Sequence, residues 1–190
     1  YFPIWSRGHL KSTVARRLVI VDALISFAFK QPAYILYVSR NKEMVKKHSL
    51  SIETLLGSAQ IKKYCPQLST VKKNTQGHDK GWQATFLNTL ADVIFHFGSL
   101  DEGLAGGNVD DIRPTLILPD DIDGREESNS VKSESRFNKL TGEVLPMRQH
   151  NTITFWAQNL INRYSTMYRV QSGQVDVLTN RKPTLPIPAC

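Results

Sequence analysis

The chain has 190 residues, of which 41% are hydrophobic and 22% charged, a composition ordinary for one globular domain with a real core. No apolar run is long enough to predict a membrane-spanning helix, and Cys65 and Cys190 lie so far apart that we expect free thiols. The net charge of +7 is concentrated in the first 80 residues, where 14 Lys and Arg face 4 Asp and Glu, and this asymmetry indicates either a polyanionic partner or a solvated basic face.

The sequence begins with alternating strand and helix patterns. Residues 1–5 predict a short apolar strand that enters a loop. A helix is predicted from residue 11 to residue 30, because the residue before Pro32 is biased away from helical geometry. Residues 33–39, AYILYVS, are β-rich and apolar, which is typical of a buried parallel strand.

An amphipathic pattern follows at 41–61 and predicts one helix, capped by Ser39 or Asn41. Residues 64–81 are polar and predict an exposed loop. The stretch 82–100 contains two β-rich runs around an Asn-Thr pair, which predicts a hairpin or two edge strands.

The second half repeats the alternation. A glycine-rich acidic loop is predicted at 101–114 and a short apolar strand at 115–118. A polar helix is predicted at 128–146, and another strand at 152–159 is followed by a helix or turn. The proline-rich end at 176–190 is typical of a linker.

This order predicts an α/β fold with a mainly parallel sheet flanked by helices, to which 82–100 adds an antiparallel hairpin. In such sheets ligands bind beyond the carboxyl ends of the strands. Three predicted strands end in residues suited to binding: the loop after 1–5, the aspartates after 115–118, and Gln158-Asn159.

The stretch SRGHLKST, residues 6–13, has the chemistry of a phosphate-binding loop. A strand, a turn and a Lys-Ser pair at a helix start place backbone N–H groups and the helix dipole against an anion. Lys11 would reach the β- and γ-phosphates of a nucleotide, and Ser12 or Thr13 would bind Mg²⁺. The turn has a single glycine, Gly8, so an ordinary basic helix start is the alternative.

The stretch TLILPDD, residues 115–121, supplies the second half of such a site. Asp120 at the strand end would hold the water shell of Mg²⁺, and the adjacent Asp121 would orient or deprotonate the attacking water. A charged turn after a strand is common, so the argument depends on the order: a lysine loop first, then an aspartate strand about a hundred residues later.

A polar pair ends the strand predicted at 152–159. Gln158 and Asn159 are suited to sensing a γ-phosphate, although such residues after a strand usually form a turn. The pair therefore supports a nucleotide site only together with the two earlier motifs.

Together these motifs resemble the ATPase domain of the large terminase subunit of tailed bacteriophages, the motor that packages DNA into the empty capsid. Arg7 stands four residues before Lys11, as in the variant phosphate loop of that family. The segment 102–123, EGLAGGNVDDIRPTLILPDDID, is similar to the family's glycine-rich segment, apolar strand and acid box. The segment 152–165, TITFWAQNLINRYS, occupies the place of its coupling motif, and the matches extend over residues 1–170.

The resemblance implies roles for individual residues. Arg7 would be the finger that stabilises the transferring phosphoryl group, while Ser12 and Asp120 would hold the metal. The catalytic acid would be Asp121 or Asp123, where the family usually has a longer glutamate, and Asp121 is preferred because it directly follows the strand end. The residues expected to contact ATP are Ser6, Arg7, Gly8, His9, Leu10, Lys11, Ser12, Thr13, Gln158 and Asn159.

The resemblance also implies a P-loop NTPase fold of the ASCE type over residues 1–175 and a linker at 176–190 towards an absent nuclease domain. We therefore expect no nuclease activity in this chain and no upstream adenine-binding segment. Two departures from the family are Leu10, where a small residue is usual, and Ala157-Gln158-Asn159, where many relatives have Gly-Thr.

The partners implied are double-stranded DNA, the portal protein, the small terminase subunit and further copies in a pentamer-like ring on the procapsid, in the host cytoplasm and away from membranes. Paired lysines would contact DNA phosphates without reading bases, or would serve only solubility. They are Lys46, Lys47, Lys62, Lys63, Lys72 and Lys73. A helicase-like DNA-dependent ATPase and a non-hydrolysing scaffold that binds DNA or portal remain alternatives.

Overall fold

The computed structural model describes most of the chain. The described ranges are 4–5, 10–79, 81–83, 85–102, 104, 112–124, 131–159 and 165–173. The predicted linker at 176–190 and the predicted loop residues Ser6, Arg7, Gly8 and His9 lie outside these ranges.

Strands and helices alternate along the described chain. The strands are β1 Ile4–Trp5, β2 Ala33–Ser39, β3 Trp82–Gln83, β4 Phe86–Asn88, β5 Val93–Ser99, β6 Leu116–Pro119, β7 Ile153–Thr154 and β8 Gln158–Asn159. The helices are α1 Lys11–Ala28, α2 Lys42–Leu56, α3 Ala59–Tyr64, α4 Val131–Lys139 and α5 Thr166–Gln171. Single turns of tighter or wider helix lie at Pro66–Ser69, Leu140–Val144 and Leu145–Met147.

The central sheet has the strand order β3–β4–β5–β2–β6–β7. Strands β5, β2, β6 and β7 run parallel, and β3 and β4 add antiparallel strands at one edge. Helices cover the sheet, so the prediction of an α/β fold with a mainly parallel sheet and an antiparallel hairpin is confirmed. The hairpin joins β4 to β5, and β5 lies inside the sheet rather than at its edge.

Strand β2 has the predicted bounds, and all seven of its residues are buried. Parallel neighbours flank it on both sides, β5 and β6. Its alternate residues belong to two separate apolar clusters, one shared with α1 and α2 and the other with Trp156 and the turn at 140–145. A strand enclosed in this way reads as a continuous apolar run because neither face meets water.

The single helix predicted at 41–61 is two helices. The helix α2 ends at Leu56 with Gly57 as its C-cap, and α3 starts afresh because the Ser58 hydroxyl accepts a hydrogen bond from the N–H of Ile61. Of the two cap candidates for α2, the structure selects Asn41, whose side chain accepts from the N–H of Met44 at 3.0 Å.

The single strand predicted at 152–159 is divided into β7 and β8, which pair with different neighbours. Strand β7 pairs with β6, and the N–H of Ala157 still donates to the carbonyl of Pro119 at 2.9 Å. Strand β8 pairs in parallel with β1, with Gln158 opposite Ile4. Because backbone groups point alternately to the two sides of a strand, this segment borders β6 on one side and β1 on the other.

The helix predicted at 128–146 is α-helical only from Val131 to Lys139. A π-helical turn and a 3₁₀ turn follow, in a segment that contains Gly142 and Pro146, both unfavourable inside an α-helix. Within the described ranges, no helix combines the length and the apolar character needed to cross a membrane.

Candidate functional site

Three residues predicted to act together do meet at the carboxyl edge of the sheet. Lys11 is the first residue of α1, and its Nζ lies 3.3 Å from Oδ1 of Asp120 and 3.0 Å from Oδ1 of Asp121. The lysine is 109 positions away from the first of these acids, so the contact depends on the fold. Asp120 is fully buried, whereas the side chain of Asp121 is 24% exposed.

Backbone pairing fixes the position of the acid pair. The N–H of Asp120 donates to the carbonyl of Val38 in β2 at 2.8 Å, and the N–H of Asp121 donates to the carbonyl of Ala157 at 3.3 Å. The φ angle of Asp121 is 52°, a left-handed conformation that aspartate tolerates better than most residues. The chain therefore leaves the sheet in a sharp turn immediately after Asp120. The carboxylates of Asp120 and Asp121 lie at the carboxyl edge of the sheet.

Sequence reasoning missed two groups behind Asp120. The Tyr37 hydroxyl donates to Oδ2 of Asp120 at 2.6 Å, and the Nδ1 atom of His48 lies 3.3 Å from the same hydroxyl. Tyr37 belongs to β2 and His48 to α2, and both are buried. One signal was available: a tyrosine in a fully buried strand needs a hydrogen-bond partner for its hydroxyl.

Burial controls the protonation of this pair. It lowers the pKa of His48 from 6.5 to about 4. The positive charges of Arg16 and Lys11 also lower this pKa, whereas the negative charge of Asp120 raises it. Burial also raises the pKa of Tyr37 well above 10, and the neighbouring Asp120 raises it further. His48 is therefore neutral near pH 7, and the 3.8 Å between its Nε2 and Oδ2 of Asp120 is not an ion pair.

Asp123, the second candidate for the catalytic acid, has a different environment. Its carboxylate accepts hydrogen bonds from the N–H and the hydroxyl of Thr166, at 2.8 and 2.7 Å, and from the Ser133 hydroxyl at 3.4 Å. It is only 4% exposed. The carboxylate is thus bound to the start of α5, whereas the neighbouring Asp121 contacts Lys11.

Gln158 lies at the same edge and is fully buried. Its Oε1 accepts from the N–H of Ile122 at 2.8 Å, which ties β8 to the turn after β6. Its Nε2 has no hydrogen-bond partner among the described residues. Asn159 pairs through its backbone with Trp5 in β1.

The first turn of α1 contains the other predicted ligands. The Leu10 carbonyl accepts from the N–H groups of Thr13 and Val14, and Leu10 itself has a φ of 52° and a largely exposed side chain. The Thr13 hydroxyl accepts from Arg16 at 3.3 Å. Ser12, beside Lys11, is half-buried and lies in the same turn.

The donor set suits magnesium better than a softer metal. Mg²⁺ binds through one or two carboxylates and keeps several waters, and Asp120 and Asp121 provide two carboxylates that already share a cation, the Lys11 ammonium. No group of three or more His, Cys, Asp or Glu in the described part of the chain could hold a metal by itself. The residues present therefore fit a metal that arrives with other oxygen ligands, such as phosphates.

The neutral His48 predicts a loss of stability at acidic pH. Between its folded pKa of about 4 and its unfolded value of 6.5, the unfolded chain binds more protons, so the free energy of unfolding decreases as the pH falls. From pH 7 to pH 5, the protonation of this residue should lower the free energy of unfolding by about 2 kcal/mol. Urea unfolding with EDTA present, at both pH values, measures it.

The matched variants for this test are His48→Gln and His78→Gln. His78 is exposed in a loop, so its replacement should leave the pH dependence of the wild type intact. His48→Gln should reduce that dependence, and equal slopes for the two variants would contradict the assignment of a neutral buried imidazole.

A scan of the sequence against protein-family models finds no match, and a search of curated proteins finds no significant match.

Proposed function

We propose that this chain is the ATP-hydrolysing motor domain of a terminase large subunit, which couples hydrolysis to the movement of double-stranded DNA into a procapsid. The observation that carries the proposal is the contact of Lys11 with both Asp120 and Asp121. A lysine at the start of an 18-residue helix and an acid pair at the carboxyl end of a strand are the two halves of a P-loop nucleotide site.

The strand order supports a P-loop NTPase of the ASCE type. Strand β1, which enters the lysine loop, pairs with β8, and the residue before β8, Ala157, pairs with Asp120 at the end of β6. The segment 152–159, divided into β7 and β8, therefore lies between β1 and the acid strand β6. Since these strands are parallel, their carboxyl ends share one edge, where nucleotides bind in open α/β sheets.

In this function the phosphates of ATP bind to Lys11 and to the N–H groups at the start of α1, where the helix dipole favours an anion. Ser12 and Asp120 would hold Mg²⁺, which supplies charge neutralisation at the phosphoryl oxygens when it is bound. Arg7 would complete the charge around the transferring group.

Between the two candidate acids, the contacts favour Asp121. Its carboxylate is partly exposed and 3.0 Å from Lys11, so water can reach it beside the phosphate position. The carboxylate of Asp123 is buried and accepts hydrogen bonds from Thr166 and Ser133. A base needs reach to the attacking water before its pKa matters.

ATP binding and hydrolysis should depend on Lys11. With Mg-ATP, the wild-type melting temperature should rise and phosphate should be released. Lys11→Ala should abolish the thermal shift and lower phosphate release about 10²–10³-fold, because it removes the cation at the phosphates. Lys62→Ala, at an exposed position of α3, is the control and should match the wild type. A thermal shift without phosphate release would favour the non-hydrolysing scaffold.

Asparagine substitutions separate the two acids. Asp121→Asn should lower kcat about 10²–10⁴-fold with ATP binding retained, because general-base catalysis contributes that much. Asp123→Asn should lower the melting temperature with little change in kcat, since its carboxylate supports α5. The reverse pattern in single-turnover assays would make Asp123 the catalytic acid.

The lysines of α2 test the DNA partner. Lys46 and Lys47 are exposed, whereas Lys72 is ion-paired with Asp92. On a 30-bp duplex, replacing Lys46 and Lys47 with alanine should reduce affinity equally for all sequences and reduce the salt slope by about 2. Lys72→Ala should have a smaller effect. Stimulation of hydrolysis by portal and procapsid separates packaging from a helicase-like activity.

A further inference from the structure

The two oxygens of the Asp120 carboxylate have different partners. Oδ1 lies 3.3 Å from the Lys11 ammonium, at the edge of the sheet where the phosphates would bind. Oδ2 points into the protein and accepts the Tyr37 hydroxyl proton at 2.6 Å. The carboxylate is fully shielded from solvent, so these side chains, rather than water, determine its orientation.

The direction of each hydrogen bond follows from the donors available. A carboxylate only accepts, so the single proton of the Tyr37 hydroxyl belongs to Asp120. The 3.3 Å contact between Nδ1 of His48 and the phenol oxygen must then be donated by the imidazole, which assigns the Nδ1–H tautomer. His48 thereby donates a hydrogen bond to the Tyr37 hydroxyl oxygen, and the Tyr37 hydroxyl in turn donates to Oδ2 of Asp120.

The same strand contains an internal comparison. Tyr34 is also fully buried and lies on the opposite face of β2, where its hydroxyl is 2.8 Å from Nδ1 of His96. Among the described residues, the Tyr34 hydroxyl is thus satisfied by a histidine. Tyr37 makes the corresponding histidine contact and donates, in addition, a short charge-assisted bond to the acid at the site.

We propose that Tyr37 is a positioning residue for the metal-site acid: its hydroxyl binds Oδ2 of Asp120 and so presents Oδ1 alone to the edge where Mg²⁺ and phosphates would bind. The inference rests on the proposed function, in which Asp120 holds the water shell of Mg²⁺. It assigns to β2 and α2 a part in the site that the nucleotide motifs do not include. Hydrogen-bond partners of metal-site carboxylates commonly contribute 10–100-fold to metal affinity or activity.

The test compares Tyr37→Phe with Tyr34→Phe in the full chain. Each variant removes one hydroxyl and one tyrosine–histidine hydrogen bond from the same strand, and Tyr37→Phe also removes the hydrogen bond to Asp120. The melting temperature is followed as MgCl₂ is titrated at saturating ATP, and again with ATP and EDTA. Phosphate release is measured in parallel to separate kcat from KM.

Tyr37→Phe should raise the half-saturating Mg²⁺ concentration about tenfold and leave the thermal shift by metal-free ATP unchanged. Tyr34→Phe should stay within about twofold of the wild type, as expected for a hydrogen bond remote from the site. If both variants have the same Mg²⁺ dependence, Tyr37 has only a structural role and the inference is overturned.

A second variant covers the case in which Tyr37→Phe does not fold. His48→Gln removes the Nδ1–H donated to the phenol and leaves the Tyr37–Asp120 bond, so the half-saturating Mg²⁺ concentration should rise less, but in the same direction. An unchanged value for this variant overturns the inference. Absence of any Mg-ATP response in the wild type overturns the proposed function, and this inference with it, since no metal site would then need positioning.

Discussion

A carboxylate with no access to water must be paired, and Asp120 is the carboxylate on which the site depends. Lys11 compensates its charge from the start of α1, and Tyr37 binds its second oxygen from β2. Each partner comes from a different part of the sequence. The burial of this one charge therefore requires α1, β2 and the end of β6 to come together.

The turn at 120–123 extends this requirement to the other layer of helices. The N–H of Ile122 donates to Gln158, and its carbonyl accepts from the Arg136 guanidinium at 3.4 Å. The carboxylate of Asp123, at the end of the turn, accepts hydrogen bonds from the N–H and the hydroxyl of Thr166 at the start of α5. The turn that contains the acid pair is thus hydrogen-bonded to β8, α4 and α5, so its displacement would break contacts with all three elements.

Local patterns predicted most of the secondary structure. The strand at 33–39 has the predicted bounds. Because both of its faces are buried, its residues form a continuous apolar run that can be recognised in the sequence. The prediction of one continuous helix at 41–61 was wrong. The amphipathic pattern continues across Gly57 and Ser58, but these two residues end one helix and begin the next. The strand at 152–159 was wrong for a different reason: its two halves pair with different strands, and no local propensity encodes which neighbour a strand selects.

The sequence by itself determined the chemistry available at the strand ends: a lysine at a helix start, and two aspartates directly after a buried strand. Those choices are local, since they depend on residue type and on distance along the chain. Only the tertiary structure decided which groups meet. It brought Lys11 to Asp120 and Asp121, turned Asp123 towards α5, and placed Tyr37 and His48 behind the buried acid. The physical reason is that strand order and register set these distances, and both result from packing between segments far apart in sequence.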